Sequence, residues 1–110
     1  MAESQCIRVR LKPGKTEEFA NWAKSLSGRK DEVRESLRAE GMLSELIFIE
    51  RTPAGDFVLF YTKAESLLAA NQAFERSKLP LDIEAKRVMA DTWDFSQIQL
   101  LEGLAELTNS

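Results

Sequence analysis

Histidine is absent from this chain of 110 residues, and cysteine occurs once, as Cys6. The absence of histidine excludes histidine-based catalytic triads, histidine general bases and histidine metal ligands. A metal site would have to combine a single cysteine with carboxylates, so we predict neither a metal ion nor a cofactor. One cysteine cannot form an internal disulfide, which is typical of a protein from a reducing compartment.

Long basic runs and long apolar runs are also missing. The net charge is −3, and no run of positive residues indicates binding to nucleic acid or to an anionic membrane. No apolar segment approaches the roughly 20 residues of a membrane span, and the N-terminus has no apolar signal core. We therefore predict a cytoplasmic protein, with residues 1–110 forming one domain.

What the sequence does contain is a strongly apolar hairpin over residues 43–63. Two apolar runs flank a turn that carries Pro53, Gly55 and Asp56, which are residues that favour bends. Both faces of each predicted strand are apolar: Leu46 and Phe48 oppose Ile47 and Ile49, and Phe57, Leu59 and Tyr61 oppose Val58 and Phe60. A sheet with one wet face should alternate, so this hairpin requires cover on both faces.

Periodicity predicts the elements before the hairpin. Strict alternation over residues 5–12 predicts a strand, which Pro13 and Gly14 end. Apolar residues at helical spacing then predict either one long helix or two helices that meet near Gly28. Thr16 is the expected N-cap, and Gly41 suits the position after the helix end.

After the hairpin we expect two more helices and a last strand. One helix follows residues 63–66, and another begins at Pro80, whose missing N–H is not needed there. The tail permits two interpretations, because Leu100, Leu104 and Leu107 also suit a helix. We favour a strand over residues 96–102, bulged or bent at Gly103.

The order β, α, β, β, α, β predicts a ferredoxin-like α+β sandwich, in which helices cover one face of a four-stranded antiparallel sheet. This arrangement leaves the second apolar face of the hairpin open. A second copy of the sheet is the simplest cover. We therefore predict a homodimer that pairs through the sheet faces as a dimeric α+β barrel.

Four segments, CIRVRLKPGKTEEFANWAKSL, DEVRESLRAEGM, FIERTPAGDFVLFYTKAESL and PLDIEAK, resemble the DUF6176 family of small, uncharacterised bacterial proteins. The wider resemblance is to the dimeric α+β barrel superfamily, which includes cofactor-free monooxygenases. That resemblance implies a pocket between sheet and helices or within the barrel lumen. It implies no catalytic residues, and the histidines of haem-handling and mutarotase relatives have no counterpart here.

The candidate ligand-binding residues are Arg8, Arg10, Glu45, Tyr61 and Trp93. If Ile7 and Val9 face the helices, the two arginines point into the barrel and could hold a carboxylate or phosphate. Tyr61 and Trp93 have polar tips that could line a pocket for an aromatic ligand. The expected ligand is thus small and anionic or aromatic. The competing interpretations are ion pairs of the arginines with Glu45, Glu50 or Glu102, and packing of the aromatic rings in the core or interface.

Three functions remain open from the sequence. The first is a homodimeric barrel that binds a small molecule. The second is a cofactor-free monooxygenase or isomerase, in which Tyr61, Trp93 and a buried acid orient and deprotonate the substrate. The third is a structural or interaction dimer without a ligand. No catalytic residue can be assigned from the sequence, and a cavity containing a perturbed carboxylate would favour the second function.

Overall fold

The computed structural model describes residues 2–109, which form one antiparallel sheet with four α-helices. The elements are β1 (Glu3–Leu11), α1 (Thr16–Ser25), a 3₁₀ turn (Leu26–Gly28), α2 (Lys30–Glu40), β2 (Met42–Thr52), β3 (Gly55–Ala64), α3 (Leu67–Arg76), α4 (Pro80–Thr92) and β4 (Trp93–Leu100). The strand order is β2-β3-β1-β4. The predicted ferredoxin-like sandwich is therefore confirmed.

The helices cover one face of the sheet and leave the other open. Val9 pairs with Val58 across β1 and β3, and both are fully buried beneath the helices, where Phe19 of α1 completes the core. On the opposite face Leu46 and Phe48 of β2 remain 52% and 55% exposed. The prediction that the hairpin is apolar on both faces, with helices shielding only one, is thus confirmed.

The first helical region is two helices separated by the 3₁₀ turn that contains Gly28. Gly41 ends α2 in the left-handed conformation, with a φ of 71°, as predicted. The predicted N-cap is wrong, because Thr16 is the first residue of α1 and Lys15 precedes it as the cap. The hydroxyl of Thr16 instead donates to Asp56 Oδ2 of the hairpin at 2.7 Å, so it ties the helix start to the sheet.

The second half of the chain has the predicted order of helices and strands, but its last strand begins earlier than predicted. Pro80 occupies the first turn of α4 as expected. The last strand begins at Trp93 rather than near residue 96, and its register with β1 shifts between Val9 and Leu11. Residues 101–109 form no regular structure, so the alternative of a helical tail is wrong. Within residues 2–109, none of the helices has the length and apolar character needed to span a membrane.

Candidate functional site

A cavity of about 260 Å³ lies between the helices and the covered face of the sheet. Most of its wall is apolar and comes from helices and strands alike, including Phe19, Trp22, Leu37, Ile47, Phe60 and Phe74. A close-packed interior seldom leaves a void larger than a water molecule. A cavity of this size is therefore the candidate binding site of the fold.

Strand register divides the sheet side of the cavity into a polar row and an apolar row. Glu45 of β2 lies opposite Thr62 of β3, which lies opposite Gln5 of β1. The next row on this face consists of Ile47, Phe60 and Ile7. Side chains directly opposite on neighbouring strands have Cβ atoms about 5 Å apart. The three polar side chains are therefore neighbours and form one polar end of the cavity.

The helices add two more carboxyl groups to this cavity. Glu40 is the last residue of α2, and Asp82 lies in the first turn of α4; they are 7% and 1% exposed. Asp82 accepts hydrogen bonds from the hydroxyls of Ser36 and Ser77. The Ser36 oxygen also lies 3.5 Å from Glu40. Because a hydroxyl has one proton and that of Ser36 goes to Asp82, the contact suits a protonated Glu40 that donates to it.

Burial and mutual repulsion perturb these acids strongly. Burial, followed by the charges of Glu45 and Asp82, raises the pKa of Glu40 to about 8. Burial, followed by the charge of Asp82, raises the pKa of Glu45 to about 7. Near neutral pH, Glu40 is thus mostly a proton donor, while Glu45 exists in both forms and can act as a base. Neighbouring carboxyl groups with different proton affinities are an arrangement suited to acid–base chemistry.

Two buried polar atoms on the cavity wall lack a hydrogen-bond partner, namely Thr62 Oγ1 and Trp93 Nε1. Thr62 is 5% exposed and Trp93 is 3% exposed. The Trp93 ring packs against Phe19 and Phe60, with centroids 5.9 and 6.0 Å away. A buried polar group without a partner destabilises a fold by about 1–3 kcal/mol. Both side chains belong to the cavity wall, so the unsatisfied polar groups of the core are concentrated there.

The structure does not bring the five predicted ligand-binding residues together. Glu45 and Trp93 line the cavity. Arg8, Arg10 and Tyr61 alternate to the opposite, open face of the sheet, because their strand neighbours Ile7, Val9 and Phe60 face the helices.

The two arginines have partners within the chain. Arg8 Nε donates to Glu50 Oε1 at 2.9 Å, and its guanidinium lies 3.6 Å from the centroid of Phe57. Arg10 donates to the carbonyl of Ala54 at 2.6 Å. The competing prediction, an ion pair with a glutamate across the sheet, therefore describes Arg8 correctly.

Sequence reasoning missed three cavity residues: Glu40, Thr62 and Asp82. Asp82 gave no signal of its own, because an acid in the first turn of a helix is accounted for by the helix dipole. Thr62 offered a usable signal, because it continues the alternation of Val58 and Phe60 and so places a hydroxyl on the covered face. Within residues 2–109 no set of cysteine and acidic side chains has the arrangement of a metal site.

The fold and the cavity define a small ferredoxin-like α+β protein with a pocket between helices and sheet. The chain belongs to DUF6176, a family of unknown function whose profile matches residues 2–106. No curated protein matches the sequence. Membership of this family, as predicted, assigns no activity.

Three solved structures illustrate the likeness of fold. A putative antibiotic biosynthesis monooxygenase from Bacteroides thetaiotaomicron is 15% identical, with 99% of this chain and 93% of that chain covered and a TM-score of 0.57. A dimeric protein of unknown function with a ferredoxin-like fold from Bacteroides fragilis is 12% identical, with 91% and 92% covered and a TM-score of 0.57. SnoaB, a cofactor-independent oxygenase from Streptomyces nogalater, is 13% identical, with 96% of each chain covered and a TM-score of 0.57. At these identities the likeness concerns the fold alone.

Proposed function

We propose that this protein binds a small, largely apolar molecule in the cavity between its helices and sheet. The observation that supports this function is an unfilled space of about 260 Å³ whose wall includes the unpartnered Thr62 hydroxyl and Trp93 indole. An engineered cavity of about 150 Å³ accepts benzene, and drug-sized ligands occupy about 300–1,000 Å³. The ligand should therefore have one or two rings or an equivalent aliphatic body.

Thermal unfolding in the presence of small aromatic and aliphatic compounds tests this function. A ligand present at 100 times its Kd should stabilise the protein by about 2.7 kcal/mol. Ala70→Leu should fill part of the cavity, because Ala70 is fully buried on its wall. Ala69→Leu on the exposed side of the same helix is the matched control. Ligand stabilisation that persists in Ala70→Leu, or that no compound produces in the unmodified protein, would count against the cavity as a binding site.

A second candidate function is proton abstraction from an activated substrate, with Glu45 as the general base. Its support is the pKa of Glu45, raised to about 7 by burial and by the charge of Asp82, inside an apolar cavity. This candidate function is also suggested by analogy with SnoaB, a cofactor-independent oxygenase of similar fold. Replacement of the α-hydrogen of a bound ketone by deuterium from D₂O, followed by NMR, tests it. The exchange rate should fall about 100-fold or more in Glu45→Gln, in line with the usual contribution of a general base.

The open face of the sheet supports a homodimer as the assembly. Leu46 and Phe48 lie opposite Tyr61 and Leu59 on this face, so an apolar patch crosses the hairpin. A stable interface buries about 800 Å² on each partner, and this patch offers its apolar centre. Size-exclusion chromatography with light scattering should show a dimer that Phe48→Asp converts to monomer. Leu68→Asp, at an exposed position of α3, should leave the dimer intact. If the unmodified protein is a monomer, the proposed homodimer is wrong.

A further inference from the structure

The titratable groups that line the cavity all have the same sign. Glu40, Glu45 and Asp82 come from α2, β2 and α4, so elements distant in sequence converge on one place. Among residues 2–109, no lysine or arginine belongs to the cavity wall. An anion that entered would meet carboxyl groups without a compensating cation. The charge of the wall therefore restricts the ligand to a neutral or positively charged molecule.

Two basic side chains close to these helices, Lys86 and Arg29, have other partners. Lys86 on α4 donates to three backbone carbonyls at the end of α3. Arg29 forms ion pairs with Glu32 and Glu84 at 3.0 and 2.6 Å. The hydrogen bonds that Asp82 accepts come from the neutral hydroxyls of Ser36 and Ser77. Buried charges are normally paired with an opposite charge, so the site lacks a component that proteins ordinarily provide.

The unpartnered hydroxyl of Thr62 is an independent indication of the missing group. Its oxygen is buried on the cavity wall, and its side chain is the direct cross-strand neighbour of Glu45. A hydroxyl has two lone pairs that can accept hydrogen bonds, and a carboxylate accepts only. A group with several N–H donors and no acceptor fits such surroundings. The ammonium group, with three donors and one positive charge, has both properties.

We propose that the ligand of this cavity is a small primary amine whose ammonium group lies among Glu40, Glu45 and Asp82. Its apolar body would extend along Phe60 and Trp93. This inference rests on the binding function proposed above and adds the charge of the ligand. Opposite charges attract far more strongly in a cavity shielded from water than in bulk solvent, so the ammonium group would dominate selection among ligands of equal size.

The inference has a consequence for pH. An ammonium ion favours the charged forms of Glu40 and Glu45, so its binding should release protons near neutral pH. The other groups that face the ammonium position are Asp82 from α4 and the neutral side chains of Ser36 and Thr62. Amine affinity should therefore rise between pH 6 and pH 8. A neutral ligand of the same shape should lack this increase, because it gains nothing from carboxylate ionisation.

Isothermal titration calorimetry with 2-phenylethylamine, 2-phenylethanol and phenylacetate tests the proposal, since the three probes have similar size and differ in charge. At pH 8 the amine should bind about tenfold or more tightly than the alcohol, as expected for one charge-assisted hydrogen bond. Phenylacetate should bind least. If the alcohol binds as tightly as the amine or more tightly, the amine proposal is wrong and the binding function stands. If none of the three binds, both are wrong.

Matched variants locate the effect. Glu45→Gln keeps the shape of the side chain and should weaken amine binding about tenfold, while the affinity for the alcohol changes by less than about threefold. Glu35→Gln, at an exposed position of α2, should leave all affinities unchanged. Thr62→Val is a second test that removes no charge and should also weaken amine binding. Equal losses for amine and alcohol in Glu45→Gln would show a general loss of structure instead, and would overturn the proposal.

Discussion

Protonation of Glu40 should make the stability of this protein depend on pH in an unusual direction. Glu40 is 7% exposed, and burial together with two neighbouring acids raises its pKa from 4.5 to about 8. Because the folded-state pKa lies above the unfolded value, folding takes up a proton between pH 4.5 and pH 8. The stabilising contribution is complete below pH 4.5 and disappears as the pH rises through about 8. The protein should therefore be less stable at pH 8 than at pH 5.

The expected change is large enough to measure. Each pH unit over which one additional proton is bound on folding contributes about 1.4 kcal/mol, so Glu40 alone should lower the free energy of unfolding by roughly 3 to 4 kcal/mol between pH 5 and pH 8. Glu45, whose pKa is raised to about 7, should add a smaller decrease that ends near pH 7. A domain of this size has a total stability of about 5–15 kcal/mol, so the decrease is a substantial part of it.

Urea unfolding at a series of pH values, for the unmodified protein and for Glu40→Gln, is the appropriate assay. Glutamine resembles the protonated acid, so Glu40→Gln should lose most of the decrease and be the more stable protein at pH 8. Glu35→Gln on the exposed side of the same helix should retain the original pH dependence. A flat stability profile for the unmodified protein, or parallel profiles for it and Glu40→Gln, would refute the burial argument.

Below about pH 5 the free energy of unfolding should fall as the pH falls, and this decrease has a separate cause. Hydrogen bonds from Arg29 lower the pKa of Glu32 and of Glu84, and hydrogen bonds from Ser96 lower the pKa of Asp94. These groups stabilise the fold above the unfolded pKa and lose that contribution as the pH falls through their folded values. Stability should therefore decrease again below about pH 4. The maximum is expected near pH 5.

Three further substitutions and one control, Gly28→Ala, test the fold and the cavity by chemical unfolding. Gly41→Ala should lower the free energy of unfolding by about 1 kcal/mol, because Gly41 has a left-handed φ of 71°. Gly28→Ala is the control and should not, since the φ of Gly28 is not left-handed. Equal effects of the two substitutions would contradict the left-handed cap. Val58→Ala should lower the free energy of unfolding by about 2 kcal/mol, because Val58 is fully buried beneath the helices. A change below about 0.5 kcal/mol is typical of an exposed residue and would contradict this burial. Thr62→Val should stabilise the ligand-free protein by about 1 kcal/mol, since it removes an unpartnered buried hydroxyl; a destabilisation would show that the hydroxyl has a partner.

The sequence was sufficient for the fold because local signals and the global arrangement agree. Phe48 and Ile49 are adjacent apolar residues of one strand, and strand alternation alone therefore places apolar side chains on both faces of the sheet. Gly41 and Pro80 mark helix boundaries through backbone chemistry that does not depend on tertiary context. The starting point of β4 was harder, because a register shift against β1 moves it toward Trp93 and no local residue signals that shift.

The site was harder to predict from the sequence than the fold, because a cavity depends on how whole helices and strands pack together. Glu45 was predicted as a candidate, but nothing in the sequence distinguishes Glu40 and Asp82 from other charged residues. Only the approach of α2, β2 and α4 makes the three acids neighbours. Arg8 and Arg10 attracted attention because strict alternation placed them on one face, but that face is the open one. Alternation determines which residues share a face and leaves undetermined which face receives the pocket. That choice is made by the helix side chains that fill the space or leave it empty.

Four polar residues of the cavity wall, Glu40, Glu45, Thr62 and Trp93, each destabilise the folded chain, and their presence in one cavity is the strongest argument for a function there. Glu40 and Glu45 are carboxyl groups in an environment that disfavours their charge, and Thr62 and Trp93 each bury an unpartnered atom. Destabilising groups gathered in one cavity are typical of sites that were selected for binding or catalysis. The double variant Glu40→Gln with Thr62→Val should therefore be more stable at pH 8 than either single variant, yet bind 2-phenylethylamine least. A double variant that is stabilised and binds the amine undiminished would separate the destabilising groups from binding and would contradict a functional reason for them.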